Sequence, residues 1–400
     1  MENEFQIDRV RVYGLRGSDS GLSWSARMPT IHTTNTVVRI DTSGGLSGAS
    51  SVFSCTQFDN DRGIAEMCRL LLPGLIGRAG MHREEIWSWM QDRRLSVTPA
   101  AVAAIDIALW DLVANRAGLP LYQMLGGARR RIPAYASTQV FDDAQAYIDH
   151  IAELRQKGFR TFKLHCWCDP DRDIELARTI RSDSGSRDLR FMLDAESAYS
   201  HKDALKVARA LQEMGFLWLE APFPDHDLVG YAELRNKVDL PILPGGNTII
   251  DLPHIAQGIH QRCWDGVRVD AAIAGGVTPV RKVMGLAEAY GMNVELQSWG
   301  CSLSRAANLH LMLAHMNCGF YEYPVPAEHF DYPFMDSIPI DKDGHVAAAD
   351  RPGLGVDVDW SELERNAFYV IDCYSRGGIT EIEVEDRARG TEAGGSSVSR

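Results

Sequence analysis

Positive charge is the first thing this chain is short of. Its 41 Lys and Arg face 54 Asp and Glu, a formal net charge of −13, and nowhere do the basic residues gather into a stripe. That balance disfavours a polyanion partner and sets nucleic-acid binding aside. Long apolar runs are missing as well: no stretch of eighteen or more apolar residues exists, so no segment is expected to span a membrane. The opening "MENEFQIDRVRV" has neither a basic nor an apolar leader region, and no signal peptide is expected. The eight cysteines include no C-x-x-C pair, and "HCWCD" brings Cys166 and Cys168 close without the other two ligands of a zinc site. Reduced cysteines and a cytoplasmic location are therefore expected. Also absent is a glycine-rich phosphate turn after a first strand, which argues against an open dinucleotide-binding sheet.

What the chain does have is a repeated rhythm. Hydrophobic residues make up 45% of its 400 positions, enough for a large domain and a smaller one. Eight β-rich runs appear in order: "IPAYAS", "TFKLH", "RFMLDAE", "FLWLEAP", "PILPGG", "GVRVDA", "NVELQS" and "FYEYP". Amphipathic stretches of helical period lie between them, such as "DDAQAYIDHIAELRQKGF" and "HKDALKVARALQEMGF", each opened by Asp or Ser. In "GGVTPVRKVMGLAEAYG", Thr278 before Pro279 reads as a helix start and Gly291 as its stop. Strand-end residues recur at 163, 194, 220, 246, 270, 297 and 322, the length of one strand, one helix and two loops. Eight such units predict an α/β fold, a parallel (β/α) barrel.

The barrel is expected over residues 129–350. Residues 1–128 read differently: "QIDRVRVYGLRG" and "TNTVVRIDTSGGLSGASS" look like antiparallel strands, and "TPAAVAAIDIALWDLVANRAG" is a helix from an N-cap at Thr98 to Gly118. That order predicts an N-terminal α+β domain. Residues 351–387 are expected to return to it, and 388–400, ending in "TEAGGSSVSR", to be a disordered tail.

The reactive face of such a barrel is at the C-terminal strand ends. Asp194, Glu220, Asp270 and Glu322 fall there, with Lys163 and His165. Strands buried on both faces should be apolar, so acids at matched depth need a reason. A carboxylate ring facing a lysine suits a hard divalent cation, Mg²⁺, beside a base. A substrate carboxylate bound by that ion would lose its α-proton more easily. Asp194 and Glu196 lie two apart and point the same way.

Taken together, "FKLH", "LDAE", "LEAP", "VRVDAAIAGG", "EYP", "ALWDLVANRAGLPLYQMLGG" and "PGLGVDVDW" resemble the enolase superfamily, in its mandelate-racemase-like branch. The resemblance implies a modified (β/α)₇β barrel with an N-terminal capping domain, bound Mg²⁺, a small carboxylate substrate and a homo-oligomer. It also implies roles. Asp194 and Glu220 match the first two metal ligands, and Lys163 the first lysine of a Lys-x-Lys pair. Asp270 matches the aspartate that orients a histidine, and Glu322 the glutamate that bonds the substrate carboxylate. Three positions depart from the pattern: Gly246 stands at the third ligand, His165 at the base lysine, and Gln297 at the dyad histidine.

These departures shape the expectations. Glu196 is placed to restore the carboxylate missing at Gly246, with the Asn247 amide oxygen as the alternative. Lys163 is expected to lower the pKa of His165 and keep it a neutral base, while Gln297 bonds a substrate hydroxyl. One competent base suits a lyase that dehydrates an acid sugar, with Glu322 assisting if protonated. A cycloisomerase or racemase in the same site is the alternative, and a non-catalytic ligand-binding relative is the reading of another class. Specificity is expected from loop 16–35, through Arg27 and His32, and from Trp299 at the barrel rim.

Overall fold

The structure, a computed structural model, describes residues 2–19, 22–25, 27, 31–56, 61–375 and 378–383. The first element group is an antiparallel sheet. β1 (Ile7–Asp19), β2 (His32–Thr42) and β3 (Ser47–Thr56) are followed by helices α1 (Asp61–Leu75), α2 (Arg83–Gln91) and α3 (Pro99–Ala117). Thr98 precedes α3 in extended backbone, Pro99 takes the first helical position, and Gly118 closes it at φ 67°, as an αL cap requires. Residues 101–114 of α3 are buried all round. One reason is Gly48 on β3, where a Cβ would lie 2.2 Å from the Ala108 carbonyl oxygen, so helix and sheet approach backbone to backbone.

The eight runs then appear as strands β4 (Ile132–Ser137), β5 (Thr161–His165), β6 (Arg190–Asp194), β7 (Leu219–Glu220), β8 (Ile242–Leu243), β9 (Gly266–Val269), β10 (Asn293–Leu296) and β11 (Tyr321–Pro324). All pairings among them are parallel, in the order β11-β4-β5-β6-β7-β8, with β9 beside β10. Asp265 N–H to the Ile242 carbonyl (3.0 Å) ties β8 to the approach of β9. The buried Glu295 of β10 accepts from Gly319 (3.0 Å) and Phe320 (3.2 Å) ahead of β11. Intervening helices start on side-chain caps: Asp143, Asp169, Ser200, Asp227 and Asp251 each accept a first-turn N–H. The helix expected to start at Thr278 begins at Val277, after Gly276. Asp106 of α3 takes the Thr278 N–H at 2.9 Å and its hydroxyl at 2.6 Å, so the cap comes from the other layer.

After a short β12 (His345–Val346) beside β4, the chain returns to the first sheet. β13 (Ala367–Tyr374) pairs with β1, and β14 (Gly378–Glu383) with β13. Arg9 and Asp372 form a two-bond pair at 2.8 and 2.6 Å across that seam. The stretch expected as a tail, 388–400, lies outside the described residues. Among the described residues no helix is long and apolar enough to cross a membrane.

Candidate active site

Strand alternation places the chemistry. On β5, Lys163 and His165 share the inner face one pleat apart. His165 is the cross-strand neighbour of Asp194 on β6, and Asp194 of Glu220 on β7. These residues, with Glu196, Asn247, Arg268, Gln297 and Trp299, line one cavity of about 310 Å³.

Lys163 is the hub of its floor. Its Nζ stands 2.7 Å from Glu220, 2.8 Å from Glu322 and 3.0 Å from Asp194, with the lysine side chain 2% exposed. Arg268 on β9 adds a second buried cation, 2.8 Å from Glu220 and 3.1 Å from Glu322, and donates to the Tyr135 hydroxyl at 3.0 Å. Burial alone would lower both cations, but Glu220 and Glu322, aided by Asp194, hold them well above their ordinary ranges. Burial likewise opposes ionisation of Glu322, yet Lys163 and Arg268 win and hold it down at about 2. For Glu220 burial wins over Arg268 and Lys163 and pushes it up to about 7.

At the mouth, His165 Nδ1 is 2.5 Å from the Thr138 carbonyl oxygen, which makes Nδ1 the donor and leaves Nε2 toward the carboxylates. Nε2 lies 3.4 Å from Glu196 and 3.5 Å from Asp194. Glu196 and Ser197 reach this position through left-handed backbone, φ 48° and 58°, and the Glu196 N–H bonds Asp194 at 3.1 Å. Lys163 was expected to depress His165. Burial does lower it and Lys163 adds to that, but the Glu196 bond and the Asp194 charge outweigh both, so His165 is raised. Sequence neighbours on a strand say nothing of the acids that the next strand brings across.

The opposite side of the mouth is neutral. Gln297 donates to the carbonyl oxygens of Gly245 (2.9 Å) and Gly246 (3.3 Å) and to the Asn247 amide oxygen at 3.1 Å. That bond occupies the oxygen suggested as a metal ligand. Asp270 does not orient residue 297: it accepts from Asn308 and from the Ala272 N–H, both at 2.7 Å, and is absent from the cavity lining. Glu322 is fully buried, outside the lining, and ionised, which removes it as a proton donor. Arg27 is exposed and donates to the Ala198 carbonyl at 3.2 Å; neither it nor His32 lines the cavity. Among the described residues of loop 16–35, Trp24 lines the cavity, its ring centroid 4.6 Å from that of Trp299.

Two residues escaped the sequence reading. Arg268 sits inside "GVRVDA", two before Asp270; a cation in a four-residue buried strand was the available signal. Asp225, in "APFPDHD", accepts from the N–H groups of Gly245 (2.7 Å), Gly246 (3.2 Å), Asn247 (2.8 Å) and Thr248 (2.9 Å), fixing the loop after β8. The Thr248 hydroxyl adds a fifth bond at 3.2 Å.

A hard divalent ion needs oxygen donors with lone pairs to spare. Glu220 has few: Oε1 faces both Lys163 and Arg268, and Oε2 accepts from Trp218 Nε1 at 3.0 Å. It does not gather with Asp194 and Glu196, as the expected ligand set requires. Among the described residues, one group of three His, Cys, Asp or Glu donors lies within 4.8 Å of one another: His165, Asp194 and Glu196. By formal charge, Asp194, Glu220, Glu322 and Glu196 outnumber the permanent cations Lys163 and Arg268 by two, an excess that a bound cation, a proton on Glu220 or a protonated His165 would reduce.

Comparison with known proteins agrees with this architecture. The enolase C-terminal domain-like family model matches residues 146–362, and that of the mandelate racemase/muconate lactonizing enzyme N-terminal domain matches 24–126. A solved structure from Pseudovibrio sp., named for the mandelate racemase/muconate lactonizing enzyme group, is 35% identical with a TM-score of 0.88, covering 92% of this chain and 99% of its own. D-glucarate dehydratase from Agrobacterium tumefaciens, complexed with magnesium, is 29% identical with a TM-score of 0.79, covering 91% and 99%. A D-galactonate dehydratase family member from Enterococcus gallinarum is 28% identical over 329 residues, covering 73% of this chain and 79% of its own. With both of its domains matched, the chain belongs to the mandelate racemase/muconate lactonizing enzyme family of the enolase superfamily.

Proposed function

We propose that this chain is a Mg²⁺-dependent enzyme that removes the α-proton of an acid sugar's hydroxy-carboxylate and eliminates water. The observation that carries the reading is His165 Nε2, with Nδ1 tied to Thr138, standing over a cavity floored by Lys163. The similar proteins support the reaction class: their names are those of sugar-acid dehydratases. Asp194 and Glu196 would hold the ion, which when bound makes the substrate carboxylate a better electron sink.

The chain's own residues supply the rest. In its neutral form, which is populated above its raised pKa, His165 takes the α-proton on Nε2, and the Cα–H pair becomes the new C=C bond as the β-carbon–oxygen bond breaks. The proton on Nε2 then passes to the departing hydroxyl, so water leaves and the imidazole is restored in one syn elimination. Lys163, kept cationic by its three acids, faces the charge that develops on the carboxylate. Gln297 and Asn247 offer amide groups to hydroxyls, and Trp24 and Trp299 keep bulk water from the mouth.

A second outcome, cycloisomerisation of a sugar lactone, needs the same single base. It is favoured over racemisation because Gln297 gives the opposite face no proton acceptor. A D-galactarolactone cycloisomerase from Agrobacterium fabrum is 28% identical over 309 residues. The seven described cysteine side chains are free and buried, which supports a reducing, cytoplasmic setting. The test is a panel of aldonates, aldarates and their lactones with Mg²⁺, followed by NMR. A 2-keto-3-deoxy acid from at least one member is expected. No product and no α-proton exchange across the panel would overturn the reading.

A further inference from the structure

We propose that Arg268 is a tethered cation that competes with the divalent ion for Glu220, and so sets how tightly this chain holds its metal. The inference rests on the reading that the cavity takes such an ion, and concerns which carboxylates are free to bind it.

Three observations lead there. Arg268 is 2% exposed, inside the barrel, with Nη2 2.8 Å from Glu220 Oε1 and 3.1 Å from Glu322 Oε2. A guanidinium placed so keeps its charge and is not displaced by pH, whereas a bound ion must pull Glu220 away from it. Second, the loop at 246 is shut to side chains by the same residue. Gly246 has φ +72°, and a Cβ there would meet the Arg268 carbonyl oxygen at 2.6 Å and its Cβ at 2.8 Å. A carboxylate at 246 is thus incompatible with this backbone, and the cation next door takes up the negative charge of Glu220 in its place. Third, the donors that do converge are those of Asp194 and Glu196 with His165, whereas the ion pairs of Arg268 are with Glu220 and Glu322. Glu220 has been drawn into the floor, and the rim acids are left for the ion.

The barrel therefore carries one permanent positive charge against Glu220, beside a position 246 that admits no further carboxylate. Removing that charge should return Glu220 to the metal. Calorimetric titration of the whole protein with MgCl₂ tests this directly. Arg268→Gln is expected to bind Mg²⁺ at least tenfold more tightly than the unaltered chain, and Arg268→Lys, which keeps a cation, to stay within about threefold. Arg268→Gln binding no tighter, or Arg268→Lys tightening equally, would overturn the proposal. Should Arg268→Gln fail to fold, Glu220→Gln serves instead: affinity within about threefold of the unaltered chain is expected, and a tenfold loss would show Glu220 ligating in spite of Arg268. Tightening in Arg268→Gln with no α-proton exchange by the unaltered chain would keep this inference and sink the proposed reaction; exchange without tightening would do the reverse.

Discussion

The two sides of the barrel mouth have opposite chemistry. From β5, β6 and the turn after β6 come Lys163, His165, Asp194 and Glu196, all titratable and linked in a chain Lys163–Asp194–His165–Glu196. From the ends of β8 and β10 come Gly246, Asn247 and Gln297, joined by amide and carbonyl bonds. Both sides are ordered by hydrogen bonds and both line the same cavity. The difference teaches that the fold constrains where side chains point, while the choice of which strand ends carry charge is free to move around the ring. In the proposed reaction, proton transfer and metal binding are concentrated on one side, and the other side positions the substrate.

The comparison can be broken most severely at Asp194, which faces both Lys163 and His165. Asp194→Asn should lower turnover by roughly a thousandfold or more, about 4 kcal/mol of lost transition-state stabilisation, and abolish Mg²⁺ binding. Steady-state kinetics with calorimetry checks both, and retention of either would mean that the charged side is not the working one. A smaller effect sharpens the contrast from the neutral side. One acid behind it, Asp270, is pushed up to about 7 by burial, against bonds from Asn308 and Ala272. Folded, it keeps its proton up to about pH 7; unfolded, it loses it near pH 4. The folded state therefore binds more protons between those values, and stability from this group falls as pH rises through that window, by up to about 4 kcal/mol in total. Asp270→Asn should lack that slope in urea unfolding at pH 5 and pH 7.5, and an unchanged slope would show Asp270 ionised. Smaller again is Asp225→Asn, which turns two of the loop's N–H bonds into facing donors. A loss of about 2–4 kcal/mol is expected, with weaker substrate binding but a turnover number within tenfold. A collapse of turnover would mean that the neutral side does more than position.

Much of this was legible in the chain. All eight strands were visible because buried parallel strands are short apolar runs closed by one polar residue, and Lys163, Asp194 and Glu220 are such closers. His165 was legible as a base but not in its direction of shift, since Asp194 and Glu196 approach it across a strand pair. Glu220 looked available as a ligand because nothing in "LEAP" announces a guanidinium arriving from β9. Arg268 itself was readable in principle, as the one charge inside "GVRV". Asp225 was not: four of its partners are backbone amides, which carry no sequence, and the fifth is the Thr248 hydroxyl.

The central claim is that the proton is handled at β5 and not at β10. Wash-in of deuterium at the α-carbon, followed by NMR in D₂O with Mg²⁺ on whichever acid sugar is turned over, separates the two sides. The account predicts that His165→Asn loses exchange by a thousandfold or more while Gln297→Ala keeps it within about tenfold. Exchange that survives in His165→Asn and vanishes in Gln297→Ala would contradict it.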